Sequence, residues 1–196
     1  MYPAAPLKRP QMISEPLLHK MKILIIDDDR TTVAVVEQFL QRKGYGRVLG
    51  ITDSEQALEI CGTFDPDLIL LDLMMPNVDG FALLQELRSD ASETFLPIVV
   101  LTGETSEEAK ARALDAGASD FLVKPVSPTE ALLRIRNLLE VRRLHVVLQN
   151  QRSAVEDTLR ERTAELRDTI AKLQTVNQRL QASTAFTADP LRMPSV

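Results

Sequence analysis

The sequence has few residues that could form a metal–thiolate centre, and it contains no long apolar run. Of its 196 residues one is a cysteine, Cys61, and two are histidines, which excludes an internal disulfide and a cysteine-based zinc cluster. No segment approaches the ~20 consecutive apolar residues of a membrane helix, and the amino-terminal segment lacks the continuous apolar stretch of a signal peptide. A cytoplasmic protein with no membrane partner is therefore expected.

The charge balance gives no overall indication of a nucleic-acid partner. The sequence has 28 acidic and 23 basic residues, and its formal net charge is −5. Domains that bind nucleic acid usually carry an excess of positive charge. No nucleic-acid partner is expected from composition, although this leaves a local basic patch open.

Three regions differ in their hydrophobic pattern. Residues 1–20 contain four prolines and no periodicity, which predicts a flexible leader. Residues 21–143 alternate short apolar runs with amphipathic stretches and are predicted to form one domain. Residues 144–182 lack both glycine and proline, so the last helix of the domain is expected to continue through them. Residues 183–196 are predicted to be a disordered tail.

Five short apolar runs predict a parallel sheet. They are too apolar to alternate, as is typical of parallel strands covered by helices on both faces. Helical patterns separate the runs, and this regular alternation predicts a doubly wound α/β fold. The runs are KILII, RVLGI, DLILL, PIVVL and DFLV, and the helical patterns cover residues 31–42, 54–60, 81–88 and 106–116 and a stretch beginning near residue 128.

Polar side chains stand at the carboxyl ends of four of the predicted strands. In an open parallel sheet ligands bind outside these ends, so the polar residues are expected to meet at one edge. A single aspartate at a strand end is better explained as a helix cap. Four separate segments that end in this way indicate a functional site. The residues are Asp27, Asp28 and Asp29 after the first run, Asp72 after the third, Thr102 after the fourth and Lys124 after the fifth.

Four motifs resemble the receiver (CheY-like) domain of two-component response regulators. They are KILIIDDD, LILLDLMMPNVDGF, PIVVLTG and GASDFLVKP, and they follow the order and spacing of that family over about residues 21–143. The resemblance implies a flavodoxin-like, five-stranded sheet in the order 2-1-3-4-5. It also implies phosphorylation by a sensor histidine kinase or a phosphotransfer protein. No enzyme activity beyond slow self-dephosphorylation is expected.

The resemblance implies a role for each residue at this edge of the sheet. Asp72 would accept the phosphoryl group. A Mg²⁺ or Mn²⁺ ion would be held by Asp27, Asp28, Asp72 and the backbone carbonyl of Met74. The implied phosphate-binding and switch residues are Thr102, Lys124 and Phe121, and the Lys124–Pro125 bond resembles the cis peptide of the family.

Elementary chemistry agrees with a cation at this edge. Neighbouring carboxylates raise one another's pKa values unless a positive charge lies among them, and Mg²⁺ prefers oxygen ligands. Asp29 exceeds the number of ligands needed and is better explained as the cap of a helix that starts near Arg30. Met74 and Glu104 each lie two positions past a site residue, and this combination leaves the lifetime of the acyl phosphate open.

A phosphatase is the alternative interpretation. The first acidic cluster also spells D-x-D-x-T, which resembles the nucleophile motif of haloacid-dehalogenase-type phosphatases. Asp27 would then be the nucleophile and Asp29 the acid/base, with Thr102 and Lys124 supplying the later motifs. Two observations oppose this interpretation: no acidic pair follows Lys124, and Asp72 would have no role.

Seven-residue spacing in the third region predicts a coiled coil. The region resembles the signalling helix that joins receivers to HD-GYP, GGDEF or histidine kinase modules, and a parallel homodimer is expected. A long helix packed on its own receiver is the alternative. Four residues weaken the predicted seam: His145, Arg152, Arg162 and Thr169. The apolar seam positions are Val141, Leu148, Val155, Leu159, Leu166, Leu173, Val176 and Leu180.

The output of the predicted receiver stays open. The 196 residues contain no recognisable helix-turn-helix, GGDEF-like string or metal-binding histidine cluster. A free-standing adaptor that docks on a partner and the front of a longer regulator are both compatible with the sequence.

Overall fold

The computed structural model of the chain describes residues 15–76, 78–90, 95–104 and 106–187. The chain divides into two units, residues 1–146 and 147–196, and each is described by itself. The sequence predicts a boundary slightly earlier, after residue 143.

The first unit is built on a five-stranded parallel sheet. Its strands are β1 (Lys22–Ile26), β2 (Arg47–Ile51), β3 (Leu68–Asp72), β4 (Ile98–Thr102) and β5 (Asp120–Val123). The helices are α1 (Glu15–Leu18), α2 (Arg30–Arg42), α3 (Ala57–Phe64), α4 (Gly80–Asp90), α5 (Glu107–Asp115) and α6 (Pro128–Thr187), with a 3₁₀ turn at Ser54–Gln56. The strand order β2-β1-β3-β4-β5 confirms the predicted flavodoxin-like, doubly wound sheet.

Successive residues of the central strands face two different helical layers. In β1, Ile23 and Ile25 pack with α2 and α6, whereas Leu24 and Ile26 pack with α3, α4 and α5. Every position of β3 and of β4 is buried. Because both faces of the sheet are covered, the strand sequences have no polar alternation.

The end of the predicted flexible leader, residues 1–20, belongs to the first unit. Residues 15–18 form one helical turn, and Leu18 is 4% exposed. Its side chain joins the apolar cluster that contains Ile23 and Tyr45. Burial of this leucine holds the segment against the first unit, so the predicted boundary after residue 20 is corrected. The rest of the predicted leader, residues 1–14, lies outside the described residues.

The second unit contains the continuation of α6. The helix reaches Thr187, beyond the predicted end at residue 182, because the sequence between Pro128 and Pro190 contains neither proline nor glycine. Residues 188–196 of the predicted tail lie outside the described part of the chain. Within residues 151–179 every side chain is exposed. None of the described helices combines the length and the apolar character that crossing a membrane requires.

Candidate functional site

The ends of three strands bring together an ammonium group and two carboxylates. Asp27 follows β1, Asp72 ends β3 and Lys124 follows β5. Lys124 Nζ lies 2.7 Å from Asp27 Oδ2 and 2.8 Å from Asp72 Oδ2. Lys124 therefore bridges two aspartates that are distant from it in sequence. Sequence reasoning assigned this lysine to a phosphate and did not predict the bridge.

Burial and hydrogen bonding act against each other on these charges. Asp27 is 0% exposed and Asp72 is 3% exposed. Burial raises the pKa of Asp27 above its ordinary value, although hydrogen bonds from Lys124 and from the Asp29 backbone N–H lower it in part. Burial lowers the pKa of Lys124, but its hydrogen bonds to Asp27 and Asp72 outweigh burial and raise that pKa overall. Lys124 therefore stays protonated and supplies positive charge to the cluster.

Three carboxylates at this edge can provide ligands to one cation. Asp27, Asp28 and Asp72 each offer an oxygen atom, and the three atoms lie within 4.8 Å of one another. Asp28 is exposed, so the cluster is open to solvent on its side. An all-oxygen donor set suits a hard divalent cation such as Mg²⁺. The Met74 backbone N–H donates to Asp72 Oδ1 at 3.1 Å, while the Met74 side chain is 71% exposed.

Thr102 and Phe121 belong to the neighbouring strands β4 and β5. Thr102 is 7% exposed, and its Oγ1 accepts a hydrogen bond from the Glu104 backbone N–H at 3.0 Å. This arrangement leaves the hydroxyl hydrogen of Thr102 able to donate. Phe121 is half-buried. Lys110 Nζ lies 5.5 Å and Arg134 Cζ 5.7 Å from the centre of its ring.

Asp29 caps α2, as the sequence predicts. Its carboxylate accepts hydrogen bonds from the backbone N–H groups of Thr31, at 3.0 Å, and Thr32, at 3.1 Å. The Thr32 hydroxyl also donates to it at 2.6 Å. These hydrogen bonds, chiefly those from Thr32 and Thr31, lower the pKa of Asp29. The expected cis peptide at Lys124–Pro125 is also present.

The predicted seam residues form a stripe of exposed apolar side chains along α6. Their pairing with a second helix stays a prediction. The Leu180 side chain lies outside the described residues. The exposed fractions are 48% for Val141, 63% for Leu148, 58% for Val155, 60% for Leu159, 62% for Leu166, 63% for Leu173 and 52% for Val176.

Sequence reasoning missed one buried charge in the first unit. Arg142 of α6 is 8% exposed, and its Nη1 donates to the Phe95 carbonyl oxygen at 3.0 Å. It follows Ile135 and Leu139 at helical spacing, and both of these are fully buried. This position on the apolar face of α6 is the signal from which the burial of the arginine could have been found.

Comparison with known proteins identifies the family of the first unit. The family described as "Response regulator receiver domain" matches residues 23–136. The chain is 42% identical over 119 residues to the response regulator MprA of Mycobacterium leprae, a match that covers 61% of this chain and 51% of MprA. It is 38% identical over 118 residues to the alkaline phosphatase synthesis transcriptional regulatory protein PhoP of Bacillus subtilis, covering 60% of this chain and 48% of PhoP. The chain thus spans about half the length of these relatives.

Solved structures give the same result for the fold. The chemotaxis protein CheY4 of Vibrio cholerae is 33% identical with a TM-score of 0.57, over 61% of this chain and 98% of that protein. The BeF3-activated amino-terminal receiver domain of Klebsiella pneumoniae RstA is 32% identical with a TM-score of 0.55, over 60% and 97%. These similarities do not support the phosphatase interpretation.

Proposed function

Because this chain belongs to the response regulator receiver domain family, which acts in phosphorylation-dependent two-component signalling, we propose that Asp72 accepts a phosphoryl group. The donor is a sensor histidine kinase or a phosphotransfer protein. One observation carries the proposal: a nearly buried carboxylate at the end of β3 lies 2.8 Å from Lys124 Nζ and shares a cluster with Asp27 and Asp28. We propose a cytoplasmic location for this reaction.

The proposed transfer is a displacement at phosphorus. A carboxylate oxygen of Asp72 forms the new O–P bond while the N–P bond to the donor histidine breaks, and the departing imidazole nitrogen keeps the electron pair of that bond. Lys124 has a flexible four-carbon stem, which lets its ammonium group turn from Asp72 Oδ2 to a phosphoryl oxygen. Thr102 donates its hydroxyl hydrogen to another. Attack of water on phosphorus later regenerates the carboxylate and releases inorganic phosphate, and no other reaction is proposed.

The carboxylates of the site fit a divalent cation. Receiver domains bind Mg²⁺ through an acidic cluster of aspartates, and this chain has such a cluster. We propose that Asp27, Asp28, Asp72 and the Met74 carbonyl hold Mg²⁺ or Mn²⁺. When bound, the ion supplies positive charge that offsets the negative charge on the phosphoryl oxygens.

Acetyl phosphate tests the acceptor. The full chain is incubated with acetyl phosphate and Mg²⁺, and the modified residue is located by mass spectrometry. We expect modification of Asp72, none in Asp72→Asn, and none in the presence of a chelator. Asp65→Asn is the matched control, since Asp65 precedes the opposite end of β3 and its left-handed backbone (φ 51°) suits asparagine. A phosphoryl group on any other residue would contradict the proposal.

The proposed switch is a population shift between two packed states. Phosphate on Asp72 draws in Thr102, and Phe121 moves into the space that becomes available behind it. Thr102→Ala is then expected to accept phosphate but to respond weakly. Amide spectra of the full chain with and without beryllofluoride test this response, and identical signals around Thr102 and Phe121 would argue against the switch.

The exposed stripe of α6 supports a second proposal, a parallel homodimer. The described stripe residues are 48% to 63% exposed and recur at heptad spacing. The full helix has 60 residues, which at ~1.5 Å per residue is roughly 90 Å. Light scattering on the full chain at tens of micromolar is expected to give twice the mass of the chain. A monomer, with and without beryllofluoride, would contradict the dimer.

A further inference from the structure

Arg142 ties α6 to the amino-terminal ends of two strands. Its Nη1 donates to the Phe95 carbonyl oxygen at 3.0 Å, and its Nε lies 3.6 Å from Asp67 Oδ1. The side chain is almost fully buried, and Nε has no hydrogen-bond partner among the described residues. Because 3.6 Å exceeds hydrogen-bond length, a relative movement of less than 1 Å would close this contact.

The partners of Arg142 begin the same strands that end at the site. Asp67 directly precedes β3, which ends in Asp72, and Phe95 lies just before β4, which ends in Thr102. β3 and β4 are each five residues long and buried at every position. They pair with each other in parallel, from Ile69 opposite Ile98 to Asp72 opposite Leu101. Packed interiors have low compressibility, so a shift of either strand at its carboxyl end is transmitted to its amino end.

Asp67 and Phe95, the two partners of Arg142, each make a second contact. The Asp67 carboxylate also accepts a hydrogen bond from the Lys22 backbone N–H at 2.9 Å. The Phe95 ring lies 5.9 Å from the ring of His145, one turn along α6 from Arg142. The sheet side and the helix side of the joint are therefore each fixed by more than one contact.

We propose that Arg142, with Asp67 and Phe95, is the joint through which phosphorylation of Asp72 changes the pairing of α6. This inference rests on the proposed function. Arg142 acts as a positioning residue, because its contacts are at the opposite ends of β3 and β4 from the phosphorylation site. A buried guanidinium is costly unless it is fully paired. A conformation in which Arg142 Nε hydrogen-bonds to the Asp67 carboxylate gains the hydrogen bond that Nε lacks in this structure. This gain favours one position of α6 over the other.

Arg142→Met in the full chain tests the joint. Arg136→Met is the matched control, since Arg136 is a half-buried arginine of the same helix and no hydrogen bond or ion pair joins it to another described residue. Two quantities are measured for each protein: modification of Asp72 by acetyl phosphate, and the dimer Kd by analytical ultracentrifugation with and without Mg²⁺ and beryllofluoride. In the wild-type chain and in Arg136→Met we expect the dimer Kd to differ about 10-fold between the samples with and without Mg²⁺ and beryllofluoride, which is a typical allosteric coupling. In Arg142→Met we expect the same rate of Asp72 modification but a change in Kd below about 2-fold.

Asp67→Asn tests the same contact from the sheet and replaces Arg142→Met if that variant does not fold. Asparagine still accepts the hydrogen bond from Lys22 but lacks the charge that faces Arg142, and the same loss of response is expected. If either folded variant shows the full change in dimer Kd with Mg²⁺ and beryllofluoride, the proposed role of Arg142 is wrong. The proposed role is also wrong if the dimer Kd of the wild-type chain does not change with beryllofluoride. In that case the acceptor role of Asp72 still stands, provided that acetyl phosphate modifies Asp72. Absence of Asp72 modification in every protein overturns the proposed function and the joint together.

Discussion

At the carboxyl edge of the sheet, buried charges pair with residues far away in sequence, whereas ion pairs in the second unit join residues three or four positions apart. Lys124 contacts Asp27 across 97 positions and Asp72 across 52. Along α6, by contrast, Lys172 pairs with Asp168 at i,i+4. At the edge of the sheet, the buried charged groups find their ion-pair partners only when the chain folds. The second is an ordinary solvated helix except for its stripe of exposed leucines and valines.

The difference shows which interactions each region depends on. Removing one partner of a buried ion pair leaves an uncompensated charge and is strongly destabilising. Exposed pairs contribute little, often less than about 1 kcal/mol. Changes at the edge of the sheet should therefore alter the whole first unit, while charge changes along α6 should stay local and apolar changes should act on association.

The largest expected effect is in the core. Leu70→Ala removes a side chain that is 1% exposed and should lower the free energy of unfolding of the first unit by about 3 kcal/mol. Leu173→Ala removes an equal volume from a side chain that is 63% exposed. Chemical denaturation followed through amide signals of the strands should show almost no change for this second variant. Equal losses of unfolding free energy in Leu70→Ala and Leu173→Ala would contradict the expected difference between the sheet and the exposed helix.

A charge placed in the stripe should act on association alone. Leu166→Asp buries a carboxylate in the proposed dimer and is expected to weaken dimerisation at least about 100-fold. Arg167→Asp, at the adjacent position outside the seam, is the control and should dimerise normally. Sedimentation measures both, and Asp72 modification should be unchanged in each. Dimerisation of Leu166→Asp at the ordinary concentration would show that the stripe has another use.

Metal binding at the edge of the sheet should stabilise the first unit. At about ten times its Kd, Mg²⁺ is expected to stabilise the first unit by about 1 to 2 kcal/mol, and a chelator should reverse the shift. Asp28→Asn removes an exposed member of the cluster and should abolish most of the shift. Thermal unfolding with Mg²⁺ and with chelator measures it, and an undiminished shift in Asp28→Asn would exclude that ligand.

The smallest expected effect concerns one exposed pair of α6. Arg152 Nε donates to Glu156 Oε1 at 2.8 Å, and this hydrogen bond is the main reason that the pKa of Glu156 lies below its ordinary value of 4.5. Because the folded-state pKa is depressed, the stabilisation is present above 4.5 and is lost as pH falls through the folded pKa. Arg152→Ala should raise the pKa of Glu156, as carboxyl NMR titration can measure. Lys172→Ala should leave it unchanged, and a pKa that stays low in Arg152→Ala would contradict the pairing.

Much of the fold could be predicted because burial on both faces leaves an unbroken apolar signal. KILII, RVLGI and DFLV have the same limits in the structure as in the sequence pattern, and β3 and β4 begin and end one residue later than expected. The predicted leader included Leu18, which is buried in the first unit. No periodicity marks a single anchoring side chain within a proline-rich segment.

By itself, the sequence determined the parallel sheet, the acidic edge with Asp27 and Asp72, and the long helix, because each depends on local spacing and on the chemistry of strand ends. Only the tertiary structure decided that Lys124 bridges two carboxylates and that Arg142 is buried against Asp67 and Phe95. These contacts depend on the relative placement of distant segments. A flexible, charged side chain takes whichever partners the packing brings within reach, and sequence spacing carries no information about that choice.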